Sequence, residues 1–402
     1  MNNKMKCNSR MKINLTEEAS IEETWNTYLD KIQPADRTAM ELAKKRWNSV
    51  AKPIGSLGIL EEDIIKIAGI RGNAAGITLD RSALAVMCAD HGVVAEGVSQ
   101  TSKDVTKIVA ENFTKGETST SKMCRISGTD LYPVDMGMDC EPTGQKELDM
   151  HRILDRKVAR GSGNIARRPA MSRTECLRAL LSGMDLAFQL KEMGYELLAV
   201  GEMGIGNTTP AAAMSAVLTG LSPEQVTGRG AGLSDAGLEK KKRAVEMAVS
   251  RFYGKYPEYR NGTKKQYESG ELSAVTLLAE LGGFDLTGMA GLFLGGAAIK
   301  LPVLMDGFLS TVSGLLAVLI KKETRDYIFA SHISTEPAGA AVLQMLDLPA
   351  PLHMGMHLGE GSGAVAMIPL LRMGAKVYEE MSTFSDISVE QYVDYAEKGE
   401  LS

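Results

Sequence analysis

The densest group of chemistry-bearing residues is the segment 201–210, Gly-Glu-Met-Gly-Ile-Gly-Asn-Thr-Thr-Pro, which precedes an alanine-rich stretch. A glycine-rich turn between a strand and a helix leaves backbone N–H groups free to bind an anion, and the helix dipole favours negative charge there. Asn207 and Thr208 can cap the helix or donate hydrogen bonds. With the backbone of Gly204 and Gly206 they form a candidate phosphate site, although a tight turn packed under a helix fits the pattern as well.

That segment belongs to neither of two familiar nucleotide-binding motifs. It has no Gly-Lys-Ser/Thr ending, so it is not a nucleoside-triphosphate P-loop. Its glycines also lack the Gly-x-Gly-x-x-Gly spacing of a dinucleotide fingerprint, which weighs against a Rossmann oxidoreductase. The pattern therefore favours a smaller phosphorylated ligand.

A second segment, 358–364, surrounds one carboxylate with glycines, because Gly359 and Gly361 flank Glu360. Backbone without side chains can approach a ligand closely. A carboxylate presented in this way suits a general base, particularly where burial raises its pKa. A turn that begins a helix, with its Glu at the positive end of the dipole, would produce the same pattern.

Two further segments contain polar groups that can contact a ligand. A glycine-containing loop, 228–235, leads into Lys240–Lys242, where one ammonium could reach a phosphate while the others face solvent. Asp90-His91-Gly92 follows an apolar run, and the spacing of the other histidines matches no metal motif. His91 therefore orients a loop or contacts a ligand, and no metal site is expected.

Short apolar runs that end in polar, glycine-containing loops provide the elements that position these residues. Each run is typical of a buried parallel strand, and helical stretches separate them. We expect an α/β fold with a parallel sheet flanked by helices, and ligands bind outside the carboxyl ends of such strands. The predicted strands are 82–89, 131–134, 196–200, 301–305 and 325–330.

The composition excludes several classes of protein. The net charge of −5 and the lack of a basic block argue against nucleic-acid binding. Five scattered cysteines without a Cys-x-x-Cys pair fit a reducing cytoplasm rather than a disulfide framework. The basic start, residues 1–6, meets Glu17 and Glu18 before any apolar region, so no secretory signal is expected. The apolar stretch 293–320 is interrupted by Gly, Lys, Pro and Asp, and predicts buried strands and loops rather than a membrane span.

Taken in order, the segments resemble the nicotinate-nucleotide–dimethylbenzimidazole phosphoribosyltransferase family. The matching segments are 52–58, 89–93, 201–209, 283–285, 306–308 and 358–363. The resemblance implies a Rossmann-like sheet domain, here residues 76–345, and a smaller helical domain built from residues 1–75 and 346–402. It also implies a cytoplasmic homodimer that acts on small molecules without a metal or an organic cofactor.

The resemblance also assigns roles to residues. It places the catalytic base at Glu360 and phosphate contacts at the Gly204 backbone, Lys241 and Ser334. Glu202 and Asp306 match acidic positions near the ribose and the base. Asp90 and His91 fall in a matching segment and are carried over as substrate contacts.

The resemblance implies the transfer of ribose 5-phosphate from nicotinate mononucleotide to a lower-ligand base of a cobalamin. Some segments depart from the family pattern, among them 114–120, the loop 100–102 and the residues after Pro337, and the first 40 or so residues look longer than usual. Because the acceptor pocket is expected near residues 90–106, another benzimidazole, a purine or a phenol remains an alternative acceptor. A non-catalytic nucleotide-binding subunit remains a further alternative.

Overall fold

The computed structural model of the protein describes residues 18–393. The basic start and the first part of the long N-terminal segment lie outside the described residues. Within the described range, six parallel strands form one sheet in the order β3-β2-β1-β4-β5-β6. The strands are β1 (Ser82–Ala89), β2 (Thr129–Gly137), β3 (Leu154–Asp155), β4 (Leu197–Met203), β5 (Val303–Met305) and β6 (Ile328–Ala330).

Helices cover both faces of this sheet. Between residues 18 and 393 the α-helices are α1 (Glu18–Leu29), α2 (Arg37–Ser49), α3 (Ile59–Arg71), α4 (Asp104–Lys115), α5 (Ser119–Ser127), α6 (Arg173–Glu192), α7 (Thr208–Thr219), α8 (Pro223–Val226), α9 (Asp235–Lys255), α10 (Lys264–Glu268), α11 (Ala274–Leu281), α12 (Phe284–Ala298), α13 (Phe308–Ile320), α14 (Gly339–Leu346) and α15 (Ser362–Glu380). None of the helices within these residues combines the length and the apolar character that crossing a membrane requires.

The central strands are buried on both faces. All eight residues of β1 are buried, and Ser82 pairs with Thr129 of β2 on one side and Leu197 of β4 on the other. Strands covered by helices on both faces are apolar throughout, which is why β1 shows no alternation of polar and apolar residues. The predicted α/β fold with a parallel sheet is confirmed.

The strand order reverses its direction of growth between β1 and β4. Chains that leave these two strands diverge to opposite sides, and the crevice between them is where open α/β sheets bind ligands. Asp90 follows β1 directly, and Gly204 follows β4 directly. The fold thus brings the two polar segments to one edge.

Helices from the two ends of the chain pack against each other. Val50 and Thr383 form an isolated antiparallel bridge, and the rings of Trp47 and Tyr378 lie 5.1 Å apart. Helix α3 packs on both α2 and α15. These contacts are compatible with a smaller unit built from both chain ends, but the domain boundaries after residues 75 and 345 stay a prediction.

The prediction of strands and loops between residues 293 and 320 was wrong for most of that stretch, which lies in α12 and α13, but the strand expected at 301–305 is present as β5. A continuous apolar run does not distinguish a buried helix from a buried strand. Gly295 allows close packing of α12 on α6, since a Cβ there would be 2.7 Å from the Cα of Met184. The polar segment 254–271 contains α10 and a 3-10 turn, Pro257–Asn261.

Candidate active site

A cavity of about 360 Å³ lies at the carboxyl end of the sheet, beside β4 and β5. Its walls come from loops that follow these strands, from the loop before α9 and from the loop before α15. The cavity brings together most of the residues that the sequence predicted: Glu202, Gly204, Gly206, Asn207, Thr208, Lys241, Asp306, Ser334, Gly359 and Glu360.

One end of the cavity is formed by the turn between β4 and α7. Gly206 adopts a left-handed backbone with φ of +89°, which places Asn207 at the start of the helix. Asn207 makes no capping hydrogen bond, and its side-chain amide instead donates to the carboxylates of Glu202 and Asp285. Because the cap residue does not bind the backbone N–H groups of the first turn of α7, these groups can bind an anion.

A buried cation lies beside this helix start. Only 1% of Lys241 is exposed, and its Nζ donates to Thr208 Oγ1 at 2.8 Å and to the carbonyl oxygen of Gly228 at 2.9 Å. Burial lowers the pKa of Lys241 to about 8, while the nearby carboxylate of Glu336 opposes that shift. Both hydrogen-bond partners of this buried ammonium are neutral oxygens. Its positive charge is therefore available to pair with a dianion.

The neighbouring lysines have different environments. Lys240 is exposed, and Lys242 forms surface ion pairs with Glu224 and Glu239. Helical geometry explains the difference, because consecutive residues on a helix point about 100° apart. Of the three lysines, therefore, the helix turns Lys241 alone into the cavity.

The opposite end of the cavity carries Glu360. Gly359, Glu360 and Gly361 all have positive φ, at +81°, +60° and +83°. Gly201 of β4 permits this loop to lie directly on the strand, since a Cβ there would be 2.6 Å from the Glu360 carbonyl carbon. A left-handed conformation in a non-glycine residue is uncommon and persists only where the surroundings enforce it.

The Glu360 carboxyl is half-buried and has one hydrogen-bonding neighbour from a distant part of the chain. Thr120 Oγ1, on the first turn of α5, donates to Glu360 Oε2 at 3.0 Å. Burial raises the pKa of Glu360, the hydroxyl and backbone N–H of Thr120 lower it, and the negative charge of Asp306 raises it further. A raised pKa and an exposed edge suit a group that takes a proton near neutral pH.

Asp306 holds the Glu360 loop in place. Its two carboxylate oxygens accept hydrogen bonds from the backbone N–H groups of Gly361 at 3.0 Å and Gly363 at 2.7 Å. Burial raises the pKa of Asp306 to about 6, and these backbone donors oppose the shift. Asp306 therefore caps α15 from outside the helix, although its side chain also reaches the cavity wall.

Glu202 lies between the two ends. Its carboxyl is buried, accepts from Asn207, and faces Gly359, where a Cβ would collide with Oε1. Burial raises the pKa of Glu202 to about 8, and the carboxylate of Asp285 is the next largest cause. Near neutral pH this carboxyl is mostly protonated.

Three predicted contacts do not line the cavity. His91 Nε2 pairs with the Asp285 carboxylate at 3.1 Å, and Asp90 accepts from the backbone N–H of Asp139 at 2.7 Å. Gly361 directs its N–H at Asp306. These residues support the loops from beneath, so a direct substrate contact for Asp90 and His91 has no geometric support in the structure.

Several residues of the site had no role predicted from the sequence. Asp285 follows Phe284 in a matching segment, and it holds both His91 and Asn207. Thr120 lies in a segment noted only for its departure from the family pattern. Glu336 accepts from the N–H of Gly230 at 3.1 Å, and its own N–H donates to Ser334 Oγ at 3.3 Å. Long-range pairing gives no local sequence signal, so of these three residues only Asp285, which lies in a matching segment, could have been indicated by the sequence.

Comparison with known proteins identifies the family. A family model described as phosphoribosyltransferase matches residues 32–389. The nicotinate-nucleotide–dimethylbenzimidazole phosphoribosyltransferase of Ruminiclostridium cellulolyticum is 38% identical over 92% of this chain and 99% of its own length. The protein of that name from Escherichia coli strain SE11 is 39% identical over 88% of this chain and 92% of its own.

Solved structures agree with the sequence matches. The crystal structure of CobT from Thermus thermophilus superimposes with a TM-score of 0.78 at 37% identity, covering 88% of this chain and all of that one. A second structure, of the nicotinate-nucleotide–dimethylbenzimidazole phosphoribosyltransferase from the same organism, gives a TM-score of 0.77. By its sequence and its fold, this chain belongs to the nicotinate-nucleotide–dimethylbenzimidazole phosphoribosyltransferase family.

Proposed function

We propose that this enzyme transfers ribose 5-phosphate from nicotinate mononucleotide to 5,6-dimethylbenzimidazole or a related lower-ligand base. The products are α-ribazole 5′-phosphate and nicotinate, and the reaction serves cobalamin nucleotide-loop assembly. One observation carries the proposal: a single cavity holds a buried ammonium beside an uncapped helix start and, opposite, a carboxylate on a constrained loop. Those are the groups needed to bind a phosphate and to accept a proton.

The phosphate binds at the start of α7 in this proposal. Lys241 supplies the positive charge, and the Gly204 and Gly206 backbone lies at the helix end where anions are favoured. Thr208 and Ser334 supply hydroxyl groups from two sides of the cavity. A dianionic phosphate would restore the Lys241 pKa toward its usual value, so binding and protonation support each other.

The transfer step needs one bond to break and one to form at C1′. The C1′–N bond of the nucleotide breaks, and its electron pair returns to the pyridinium nitrogen, which becomes neutral in nicotinate. A nitrogen lone pair of the acceptor forms the new bond to C1′ from the opposite face, which converts a β-nucleotide to an α-riboside. Glu360 takes the acceptor N–H proton, and its Oε1 is the oxygen that Thr120 does not occupy.

Glu202 and Asp306 lie where positive charge develops on the ribose. A cationic pyridinium beside Glu202 lowers the pKa of this carboxyl and favours its ionised form. The ionised form then stabilises the oxocarbenium-like transition state. Asp306 contributes mainly by fixing the loop that carries Glu360, since both of its oxygens accept backbone hydrogen bonds.

The leaving group is already activated by its positive charge, so the proposed reaction requires neither a metal nor an organic cofactor. We propose that the enzyme acts in the cytoplasm as a homodimer, in keeping with the sequence expectation. Its partners are then small-molecule substrates rather than nucleic acids or membranes.

A different acceptor is the second candidate, because the cavity edge near the acceptor side is polar. Ser99, Gln100 and Thr101 line it with two hydroxyl groups and an amide. Such an edge would also suit a purine such as adenine or a phenol, whose polar groups need hydrogen-bond partners.

An acceptor panel tests the proposal. The purified full chain is incubated with nicotinate mononucleotide and, separately, dimethylbenzimidazole, benzimidazole, adenine or phenol, and products are identified by mass spectrometry and by the NMR coupling at C1′. An α-riboside of dimethylbenzimidazole is expected. A product with phenol or adenine alone would move the enzyme to the second candidate. Binding of the nucleotide with no product from any acceptor would favour a non-catalytic subunit.

A further inference from the structure

Within residues 18–393, Thr120 is the one side chain that donates a hydrogen bond to the Glu360 carboxyl. It lies on the first turn of α5, fully buried, with its hydroxyl directed at Glu360 Oε2. The helix start is fixed independently, because Thr118 caps α5 by accepting from the N–H of Ser121 at 3.0 Å. The first turn is therefore rigid, and the position of the Thr120 hydroxyl is set by the fold.

We propose that Thr120 is a positioning residue that holds one oxygen of Glu360 and leaves the other to take the acceptor proton. The inference rests on the proposed function, since it assigns Glu360 the role of base. Without Thr120, the carboxylate would rotate about its side-chain bonds, and only a fraction of its orientations would present an oxygen to the acceptor. A misplaced general base loses much of its effect.

The electrostatic surroundings give the contact a second effect. Two carboxyl groups face Glu360. The negative charge of Asp306 after β5 favours the protonated form of Glu360, whereas Glu202 on β4 is itself mostly protonated near neutral pH. Two histidines also line the cavity, His332 after β6 and His357 on the loop before α15. Burial lowers the pKa of His332, so this ring is mostly neutral at pH 7.

Burial and the charge of Asp306 favour the protonated form of Glu360, whereas Thr120 is the neighbour that favours the ionised form. Its hydroxyl and its backbone N–H both lower the pKa of Glu360. The N-terminal end of α5 adds a favourable dipole at the same place. Thr120 thus keeps the base ionised at a pH where burial alone would protonate it.

Three variants of the full-length protein test this role. Thr120→Val keeps the shape of the side chain and removes the hydroxyl, whereas Thr120→Ser retains the hydroxyl. Thr324→Val is the matched control, because Thr324 is equally buried, lies outside the cavity lining, and its hydroxyl has no hydrogen-bond partner among the described residues. Thermal unfolding of each variant shows whether the fold is retained.

We expect Thr120→Val to lower kcat about tenfold, the loss typical of one hydrogen bond to a charged group. The KM for nicotinate mononucleotide should stay within about twofold, because the phosphate contacts are untouched. The acid limb of the kcat–pH profile should move to higher pH, since removing a donor raises the pKa of the base. Thr120→Ser should restore both kcat and the profile, and Thr324→Val should change neither.

The positioning role is overturned if Thr120→Val leaves kcat and the acid limb where they are in the wild type. It is equally overturned if the effect falls on KM alone, or if Thr120→Ser loses as much activity as Thr120→Val. Failure of the proposed function is a separate result, because the wild-type enzyme itself would then form no riboside.

Discussion

Two glycine-rich loops of this protein resemble each other in sequence and differ in what they present to the cavity. The first, between β4 and α7, leads to a helix whose Asn207 makes no capping hydrogen bond. The second, before α15, has its N–H groups at Gly361 and Gly363 occupied by the carboxylate of Asp306. The first loop therefore leaves a site for an anion, whereas the second presents the carboxylate of Glu360.

The difference arises from Asp306, which lies 55 residues before Gly361 in the sequence, and not from the second loop itself. A carboxylate at a helix start satisfies the backbone donors that would otherwise bind an anionic ligand. A glycine-rich turn before a helix thus indicates a phosphate site only where no other side chain already fills it.

The largest effect is expected when the second loop loses its charge. Glu360→Gln removes the base while keeping the side-chain shape, and kcat should fall by a factor on the order of 10²–10⁴. Steady-state kinetics with nicotinate mononucleotide and dimethylbenzimidazole measures the change. The control is Glu246→Gln on the exposed face of α9, and unchanged turnover in Glu360→Gln would remove Glu360 from the role of base.

The second largest effect is expected when the cation beside the first loop is removed. Lys241→Met replaces a buried ammonium with an apolar chain of similar length, and the loss of a charge-assisted contact predicts a rise in KM for nicotinate mononucleotide of roughly 10- to 100-fold. Lys240→Met, the exposed neighbour on the same helix, should leave KM unchanged. Equal effects in the two variants would show that the phosphate does not bind at Lys241.

The third change makes the second loop more like the first. Asp306→Asn directs an amide NH₂ at one of two backbone N–H groups, so the free energy of unfolding should fall by about 1–2 kcal/mol, as for a lost helix cap. The Glu360 loop should loosen, and kcat should fall with it. Asp36→Asn alters a cap on α2 that does not line the cavity, and should leave kcat unchanged; a normal kcat in Asp306→Asn would separate the cap from catalysis.

The smallest effect concerns the carboxyl between the two loops. The pKa of Glu202 is about 8 in the folded protein and ordinarily about 4.5, so the folded state binds this proton more tightly and stability falls as pH rises between those values. Glu202→Gln removes that loss. The free energy of unfolding, measured by chemical denaturation, should be higher in Glu202→Gln than in the wild type, and this difference should grow by about 1 kcal/mol between pH 7 and pH 8. In the control Glu246→Gln, the difference in free energy of unfolding from the wild type should not change with pH. If it does not change in Glu202→Gln either, Glu202 is ionised throughout this pH range.

The fold was predictable because its signals are local or periodic. The apolar run of β1 gave its boundaries correctly. Prediction failed over most of residues 293–320, where Gly295 lies in the contact between two buried helices and Gly296 lies against β5. Apolar content specifies burial, but the type of element in a fully buried segment depends on its neighbours.

The sequence by itself determined the parallel sheet, the two glycine-rich loops, the acid at position 360 and the run of three lysines at 240–242. Only the tertiary structure decided which loop is open to an anion, which of three lysines is buried, and that Thr120 contacts Glu360 across 240 residues. The physical reason is the range of the interactions involved. Turn geometry and helix periodicity depend on neighbouring residues, whereas hydrogen bonds to Asp306 and Thr120, and the burial that shifts each pKa, depend on segments that meet only after folding.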